Sequence, residues 1–301
     1  MIPCYEGARF LGEAIESCLG QTYTRVEIIV VDDASPDDCA RIAEGYASRD
    51  DRVRVIRRRK NGGVARAFNT GFQAARGEYF SRLAQDDLFR EDAISLMHEQ
   101  LRGRADLGLV YCDMQKIDEN ANVTGLLEAK DPEGWFSQGG TLGLCVMWPR
   151  KVWNAVGRFD PFFDKAEDLE YWLRLSQRFA IEKIAGEAPV YVRFHTGMAS
   201  EVYRMRQWAA ATLARRLHRE DWSESHRGSL RPGGRAKPRR ELAAIYWDAS
   251  WMFYHADDMK AALRCAWRAA RYRPYRLSYW RHVLGAALRV VAGTSPARAE
   301  T

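Results

Sequence analysis

The sequence predicts an α/β fold, with a mixed, mostly parallel sheet flanked by helices and a helical extension at the carboxyl end. Three observations predict it. Short apolar runs alternate with helical patterns over the first 110 residues, which is the order of a βαβ array with a Rossmann-like sheet. The run at 26–31 is nearly continuous, as in a strand buried on both faces of a parallel sheet. A basic segment with helical spacing follows residue 240.

The expected elements alternate regularly up to about residue 110 and less regularly from 112 to 200. Before the apolar run at 26–31, apolar residues repeat at helical spacing from Phe10 to Leu19. Strands are expected at 26–31, 53–56, 79–83, 107–111 and 190–194, and helices at 10–19, 61–75, 90–102, 151–156 and 167–178. Between the strand at 26–31 and the next helix, Ser35 is expected as the helix N-cap and Pro36 as the first helical residue.

The charge distribution divides the chain into two parts. Residues 1–200 have a net charge of −5, whereas residues 201–301 have one of +11. A Ser/Gly/Pro/Arg-rich stretch has the composition of an exposed linker. We therefore expect an α/β domain at 1–221, a basic linker at 222–240 and a basic helical region at 241–301.

The basic helical region has three open interpretations. Lys260, Arg264, Arg268 and Arg271 form a stripe opposite the apolar face of one helix. It is either a solvated face of a hairpin packed on the α/β domain, a surface for anionic lipid headgroups, or a protein-docking hairpin similar to one tetratricopeptide unit. Nucleic acid is not an expected partner, because no recognition motif accompanies the charge.

The cysteines and the start of the chain predict a protein that faces the cytoplasm. The six cysteines have no CxxC or zinc-type spacing, so we expect reduced thiols. The start does not have the pattern of a secretory signal. No apolar run reaches the roughly 20 residues that span a bilayer. Membrane contact would therefore be peripheral, at the inner face.

Polar residues follow three expected strands, at the edge where parallel sheets bind ligands. They are Asp32-Asp33, Asn61-Gly62-Gly63 and Asp86-Asp87. Glycines let a backbone approach a ligand, and a helix N-terminus offers N–H groups to an anion. Adjacent carboxylates repel each other unless water or a cation compensates, and hard divalent cations bridge such oxygens to a diphosphate. The sequence therefore predicts a metal–nucleotide site.

Six motifs give the first 200 residues a specific resemblance. They are Ile-Pro-Cys-Tyr-Glu at 2–6, Val-Val-Asp-Asp-Ala-Ser at 30–35, Asn-Gly-Gly-Val-Ala-Arg-Ala-Phe-Asn at 61–69, Leu-Ala-Gln-Asp-Asp at 83–87, Ala-Glu-Asp-Leu-Glu-Tyr-Trp-Leu-Arg at 166–174 and a late His motif at 191–200. In order and spacing they resemble the inverting family 2 glycosyltransferases, which have the GT-A fold. The resemblance implies transfer of a sugar from a nucleotide-diphosphate sugar, first of all a UDP-sugar, to a hydroxyl of a glycan or lipid-linked glycan in cell-envelope polysaccharide biosynthesis.

The resemblance also implies a donor site. Its residues lie in the loops after the strands: Pro3, Tyr5, Glu6, Asp33, Gly63, Arg66 and Asp86. Pro3, Tyr5 and Asp33 would hold the base and ribose, with Glu6 at the same rim. Arg66 would lie near the base or the diphosphate.

A divalent cation, Mn²⁺ or Mg²⁺, is implied as well. Asp86 and Asp87 match the end of the family's DxDD pattern. Asp87 is the first candidate for the metal ligand and Asp86 for a sugar or ribose contact, or the reverse, and His195 is a further candidate for the metal. The leading Asp of the pattern is Ala84 here. This departure makes a non-catalytic nucleotide-sugar-binding or docking protein the alternative function.

Catalysis is implied at the Glu-Asp motif. Asp168 would be the general base that takes the proton of the acceptor hydroxyl as its oxygen attacks the anomeric carbon. Glu167 is the competing candidate, and Arg174 is expected to orient the acidic group. A dinucleotide oxidoreductase is disfavoured, because no GxGxxG turn follows the first strand. Since only Met1 and Ile2 precede Pro3, we also expect either that the native start lies upstream or that the first strand is short and the domain less stable.

Overall fold

The structure, a computed structural model, describes residues 1–130, 145–196, 198, 204–218, 239–256 and 258–292. Its first elements are β1 (Ile2–Cys4), α1 (Ala8–Leu19), β2 (Ile28–Asp32), α2 (Cys39–Ala47), β3 (Val53–Arg57), α3 (Val64–Ala74), β4 (Tyr79–Ser81), β5 (Leu88–Phe89), α4 (Ala93–Leu101), β6 (Leu107–Cys112), β7 (Met114–Ile117) and β8 (Val123–Leu127). There follow β9 (Val146–Pro149), α5 (Arg150–Val156), a 3₁₀ turn (Pro161–Phe163), α6 (Glu167–Ser176), β10 (Ala180–Ile184), β11 (Val190–Arg193), α7 (Arg204–His218), α8 (Arg239–His255), α9 (Met259–Tyr272) and α10 (Leu277–Ala292).

The central sheet is mostly parallel. β1, β2 and β3 pair in parallel, and β10, β6, β9 and β4 lie side by side with β9 antiparallel to both neighbours. The amine of Met1 donates to the carbonyl oxygen of Ser81 (3.0 Å), and the N–H of Leu83 donates to the carbonyl oxygen of Met1 (3.1 Å). These two bonds have the pattern of a parallel pair and join β1 to β4, so that the sheet is continuous.

Both faces of this sheet are covered by apolar side chains. In β2, Ile28 and Val30 pack in one hydrophobic cluster and Ile29 and Val31 in another, because successive strand residues point to opposite faces. This explains why the strand is a continuous apolar run in the sequence. On the side of α3, α5 and α6, aromatic rings fill the core around Phe72, which lies 5.0 Å from the ring of Trp148.

A smaller sheet brings a late strand next to the end of β4. Its order is β5-β11-β7-β8, with β11 parallel to β7 and antiparallel to β5. The pairing of β5 with β11 places the residues that follow β11 beside the loop between β4 and β5. Arg193 and His195 therefore reach the acidic residues Asp86 and Asp87, from which they are more than 100 positions distant in sequence.

The carboxyl-terminal helices pack on the α/β part. The ring of Phe253 in α8 lies 6.3 Å from Phe162, and the guanidinium of Arg268 in α9 lies 4.3 Å from the centre of the same ring. The predicted fold class, including its helical extension, is confirmed. The division into domains stays a prediction: α8 begins at Arg239, inside the expected linker, and residues 222–238 lie outside the described residues.

Two local expectations are wrong. α2 begins at Cys39, and the N–H of Ser35 donates to Oδ1 of Asp32 (2.9 Å), so Ser35 belongs to the turn and is not a helix cap. The structure joins the sulfurs of Cys4 and Cys39, and the other four cysteines are free and buried. The expectation of reduced thiols fails for this pair because sequence spacing does not show that the end of β1 meets the start of α2.

Within the described part of the chain, no helix has both the length and the apolar composition that a bilayer crossing requires.

Candidate active site

The carboxyl ends of β1, β2 and β4 meet at one edge of the sheet. The N–H of Asp33, after β2, donates to the carbonyl oxygen of Cys4 in β1 (2.9 Å). The side-chain amide of Gln85, after β4, accepts from the N–H of Tyr5 (2.8 Å) and donates to its carbonyl oxygen (3.1 Å). These contacts bring three of the predicted motifs together at the edge where such sheets bind ligands.

Asp33 is buried and connects two predicted motifs. Its carboxylate accepts from the N–H groups of Gly62 (3.0 Å) and Gly63 (2.8 Å) and contacts the guanidinium of Arg58. Gly63 precedes α3 with a φ of 85°, a conformation that glycine adopts without a Cβ penalty. The carboxylate of Asp33 therefore holds the glycine loop against the end of β2.

The loop after β1 forms the rim of the site. Pro3 lies in β1 opposite Val31, and Tyr5 is partly exposed. The N–H of Glu6 donates to Oγ of Ser35 (2.8 Å). Across the glycine loop, Nη1 of Arg66 donates to the carbonyl oxygen of Gly62 (2.8 Å). This rim exposes side chains of Tyr5 and Arg66 at the position predicted for the nucleotide.

Backbone strain concentrates in these loops. Among the described residues, four that are not glycine have a φ between 53° and 76°: Glu6, Ala34, Ala121 and Lys165. Three of them lie in the loop after β1, the loop after β2 and the segment before the Glu-Asp motif. Such conformations cost free energy and persist where the surroundings hold them, which is common at binding sites.

Asp86 and His195 form a close pair. Nε2 of His195 lies 3.0 Å from Oδ2 of Asp86, and both side chains are partly exposed. The imidazole also packs on Phe10, with ring centres 5.3 Å apart. The two groups are in direct contact, and one carboxylate with one imidazole is a donor set that a divalent cation accepts.

Asp87 is in a different environment. It is buried, its Oδ1 accepts from the N–H of Arg193 (2.9 Å), and its Oδ2 has no hydrogen-bond partner among the described residues. Burial, together with the neighbouring Asp86 carboxylate, raises the pKa of Asp87 well above its ordinary value. Asp87 therefore holds the backbone at the end of β11.

Arg193 is the fully buried centre of this region. Its guanidinium donates to the carbonyl oxygens of Asp86 (3.0 Å) and Glu119 (2.7 Å) and to the carboxylate of Glu13 (2.6 Å). A fixed guanidinium with several partners orders each backbone segment that it touches. Arg193 thus fixes the loop of Asp86 relative to β11.

The Glu-Asp motif begins α6, and its two carboxyl groups differ. Nη2 of Arg82 donates to Oδ2 of Asp168 (2.8 Å), whose side chain is 21 % exposed. Glu167 is buried, and burial, then the charge of Asp168, raises the pKa of Glu167 to about 8. The site thus contains one accessible, arginine-bound carboxylate beside a carboxyl that is neutral near pH 7.

Arg174 does not contact this acidic pair. Its guanidinium donates to the carboxylate of Glu170 (2.7 and 2.9 Å) and to two carbonyl oxygens at the end of α5. The expectation that Arg174 orients the acidic group of the Glu-Asp motif is therefore wrong. Arg82, which follows β4 directly, is in contact with Asp168 instead.

The glycine loop lies beside the segment that leads into α6. A Cβ placed on Gly63 would lie 2.7 Å from Oδ1 of Asp164. The structure thus places the glycine loop beside Asp164, four residues before Asp168, and joins the loop after β1 to Gln85, which precedes Asp86. It does not place Asp87 in the same accessible position as Asp86.

A family model confirms the relationship that the motifs predict. The model described as "Glycosyl transferase family 2" matches residues 1–163, which are more than half of the chain. The chain belongs to glycosyltransferase family 2. Chondroitin synthase of Escherichia coli is 30% identical over 183 residues, which are 58% of this chain and 26% of that protein. Glycosyltransferase GlyG of Streptococcus pneumoniae is 35% identical over 120 residues, which are 40% of either protein. The chain thus spans a quarter to two fifths of the length of these curated relatives.

Solved structures confirm the GT-A fold. TarS 1–349 of S. aureus in complex with UDP-GlcNAc aligns with a TM-score of 0.55 at 16% identity, over 97% of this chain and 91% of that one. Mannosyltransferase PcManGT from Pyrobaculum calidifontis, in complex with GDP-Man and Mn²⁺, aligns with a TM-score of 0.54 at 18% identity, over 96% and 85%. At such identities the likeness concerns the fold.

Sequence reasoning missed the arginines of this family 2 site. Arg58, Arg82 and Arg193 each contact an acidic residue or its backbone. Arg58 and Arg82 lie outside the six motifs, and Arg193 lies inside the late His motif but was given no role there. One signal was available: Arg82 and Arg193 are charged residues inside or next to runs predicted as buried strands. A buried charge requires a partner, so each was a candidate for an ion pair.

Proposed function

We propose that this family 2 protein is an inverting glycosyltransferase that moves a sugar from a nucleoside-diphosphate sugar to an acceptor hydroxyl. The observation that carries the proposal is the carboxylate of Asp168, which is accessible, fixed by Arg82 (2.8 Å) and adjacent to the buried Glu167. When two neighbouring carboxyl groups have such different environments, they take different roles in acid–base chemistry.

Asp168 is the proposed general base. It accepts the proton of the acceptor hydroxyl as that oxygen attacks the anomeric carbon of the donor. The bond from this carbon to the diphosphate oxygen breaks, its electron pair leaves with the nucleoside diphosphate, and the configuration inverts. Glu167 is the weaker candidate, because with a pKa of about 8 it holds its proton near pH 7.

The proposed donor is a UDP-sugar. The UDP-GlcNAc complex of TarS is a precedent for this donor within the fold. Tyr5 and Asp33 lie at the edge of the sheet where a base and a ribose would bind, with Pro3 and Glu6 beside them. Arg66 is exposed next to the glycine loop, where a guanidinium would meet a diphosphate.

We propose Asp86 and His195 as the residues that hold a divalent cation, Mn²⁺ or Mg²⁺. Among the described residues, no three His, Cys, Asp or Glu side chains are grouped to hold a metal. Asp86 and His195, in contact at 3.0 Å, would supply one carboxylate oxygen and one imidazole nitrogen to such a cation. When bound, such a cation offsets the charge of the leaving diphosphate. This assignment moves the metal role from Asp87, its first candidate, to Asp86, because Asp87 is buried.

The proposed acceptor is a glycan or lipid-linked glycan, and chondroitin synthase among the matched relatives supports a glycan. The basic carboxyl-terminal helices are proposed to contact anionic lipid at the cytoplasmic side. Their excess of Lys and Arg supports this placement.

Donor turnover tests the proposal. Purified protein is incubated with a panel of UDP- and GDP-sugars, with and without Mn²⁺, and release of nucleoside diphosphate is measured. Asp168→Asn is expected to lower turnover by about 10²–10⁴-fold while donor binding persists. Asp86→Asn should weaken the Mn²⁺ dependence. Asp106→Asn, which alters an exposed carboxylate also paired with an arginine, is the control and should retain activity. Full activity of Asp168→Asn would remove the assignment.

One observation favours a second function. Ala84 stands where the family pattern has a carboxylate, which is compatible with a domain that binds nucleotide sugars without turnover. Mn²⁺-dependent UDP binding in calorimetry, combined with no turnover of any donor, would support this alternative.

A further inference from the structure

Helix α10 has one face packed on the protein and one exposed apolar face. On the packed face, Tyr279 stacks on Trp247 of α8, with ring centres 4.5 Å apart. On the other face, the side chains of four large residues are 37–71 % exposed: Leu277, Trp280, Leu284 and Leu288. Their spacing of three and four positions places them in one stripe along the helix. We call these four residues the outer stripe.

The surroundings of the outer stripe are strongly basic. Residues 259–292 contain eight Lys or Arg and no Asp or Glu. Arg276 and Arg281 are exposed beside the stripe, and Tyr275 before it is 97 % exposed. Apolar and aromatic residues beside arginines, without carboxylates, are the composition of a helix that lies in the interface of an anionic bilayer.

The basic stripe of α9 is not available to a membrane along its whole length, because two of its arginines contact the α/β part. The guanidiniums of Arg264 and Arg268 lie 5.1 and 4.3 Å from the ring centre of Phe162 in the α/β part. Part of the basic stripe of α9 therefore packs on the protein. The exposed surface with both charge and apolar area is that of α10.

We infer that the outer stripe of α10 inserts into the headgroup region of an anionic membrane, with Arg276 and Arg281 at the lipid phosphates. The indole N–H of Trp280 already donates to the carbonyl oxygen of Pro274 (2.8 Å), so its ring can be buried without an unsatisfied donor. A second copy of the chain fits less well, because a symmetric contact would bring arginines together with no carboxylate in residues 259–292 to pair them. The inference makes the proposed lipid contact specific to one helix and does not depend on sugar transfer.

Vesicle flotation of the full chain tests this. The vesicles consist of phosphatidylcholine alone or of equal parts phosphatidylcholine and phosphatidylglycerol. The chain is expected to float with the anionic vesicles and to dissociate as salt is raised, because exposed charges are screened. Leu284→Glu should lower the partition coefficient at least tenfold. Leu126→Glu is the matched control, since Leu126 is a similarly exposed leucine on β8 (55 % against 63 %).

A second pair of variants separates charge from apolar contact. Arg281→Glu should weaken flotation several-fold at low salt and less at high salt, whereas Arg102→Glu, at an exposed position after α4, should not. Thermal unfolding by circular dichroism verifies that each variant is folded. Equal flotation of Leu284→Glu and Leu126→Glu, or no flotation of the unaltered chain, would overturn the inference. So would a dimer in sedimentation velocity that Leu284→Glu dissociates. Release of UDP from a UDP-sugar, measured in parallel, keeps this result separate from that of the proposed reaction.

Discussion

Arginine side chains have different partners in the α/β part and in residues 259–292. In the α/β part, buried or partly buried guanidiniums meet carboxylates: Arg58 contacts Asp33, and Arg82 contacts Asp168. In residues 259–292 the guanidinium of Arg268 lies over a ring, at 4.3 Å from Phe162. The first arrangement neutralises acids and fixes them in place, whereas the second leaves the positive charge uncompensated. The comparison shows how one residue type serves a chemical site in one region and a charged surface in the other.

The largest expected effect comes from removing a guanidinium of the first region. Arg82→Met leaves Asp168 without its buried partner, which costs about 3–5 kcal/mol of unfolding free energy. Because the proposed base also loses its orientation, turnover should fall about a hundredfold. Urea unfolding and donor turnover measure the two effects. Arg104→Met is the control: its partners are more than 40 % exposed, so the cost should stay under about 1 kcal/mol. Equal costs for both variants would contradict the distinction.

The next prediction concerns Glu167, the buried carboxyl beside Asp168. Burial raises the pKa of Glu167 to about 8, so the folded protein keeps a proton that the unfolded chain releases above the ordinary pKa of Glu. The protonated carboxyl of Glu167 makes its full contribution to the free energy of unfolding at low pH and loses it as the pH rises through about 8. The glutamine of Glu167→Gln does not titrate, so the variant does not lose this stability. Relative to the unaltered protein, the variant should gain on the order of a few kcal/mol in unfolding free energy between about pH 5 and pH 9.

Urea unfolding at several pH values checks this. Glu182→Gln, at a half-exposed acid paired with Arg104, is the control and should follow the pH profile of the unaltered protein. A parallel profile for Glu167→Gln would mean that Glu167 is ionised in the folded state, and Asp168 would then lose its advantage as the proposed base.

A smaller effect is expected at the glycine loop that Asp33 holds. Gly63 and Gly103 both have positive φ, 85° and 76°, but only a Cβ on Gly63 would meet another side chain, at 2.7 Å from Asp164. Both alanine variants should lose roughly 1–2 kcal/mol of stability from the backbone conformation. Only Gly63→Ala should also weaken UDP binding in calorimetry, because the N–H of Gly63 and the N–H of Gly62 both donate to Asp33 in the predicted donor site. Unchanged UDP affinity in Gly63→Ala would place the nucleotide elsewhere.

The sequence predicted the apolar elements of the fold better than the polar contacts of the site. β2 was predictable because Ile28 to Val31 are buried on both faces, which leaves a continuous apolar run. β8, in contrast, is exposed on most of its length, so no apolar pattern marks it. The strand β9 has four residues, which are too few to show a period.

For the site, the sequence indicated which residues carry the chemistry but not their neighbours. Asp33, Asp86 and Asp168 lie in motifs, and the structure gives each a partner from a distant segment: Arg58, His195 and Arg82. Such pairs depend on strand order and register, which local propensity does not determine. The different environments of Asp86 and Asp87 also depend on strand pairing. They arise from the pairing of β5 with β11, which buries the second carboxyl and leaves the first accessible.

The smallest expected effect completes the comparison in residues 259–292. The guanidinium of Arg268 lies over the rings of Phe162 and Tyr246 and donates to the hydroxyl of Tyr246 (3.2 Å). The exposed Arg276 lies over Tyr279, at 5.3 Å. Arg268→Gln should therefore cost about 1 kcal/mol of stability, and Arg276→Gln under about 0.5 kcal/mol. Urea unfolding measures both. If Arg276→Gln proved as costly as Arg268→Gln, its guanidinium would be committed to the fold, and Arg276 would no longer be available to the lipid phosphates. If neither variant lost stability, Arg268 would not attach α9 to the α/β part, and its charge too would be available to an anionic surface.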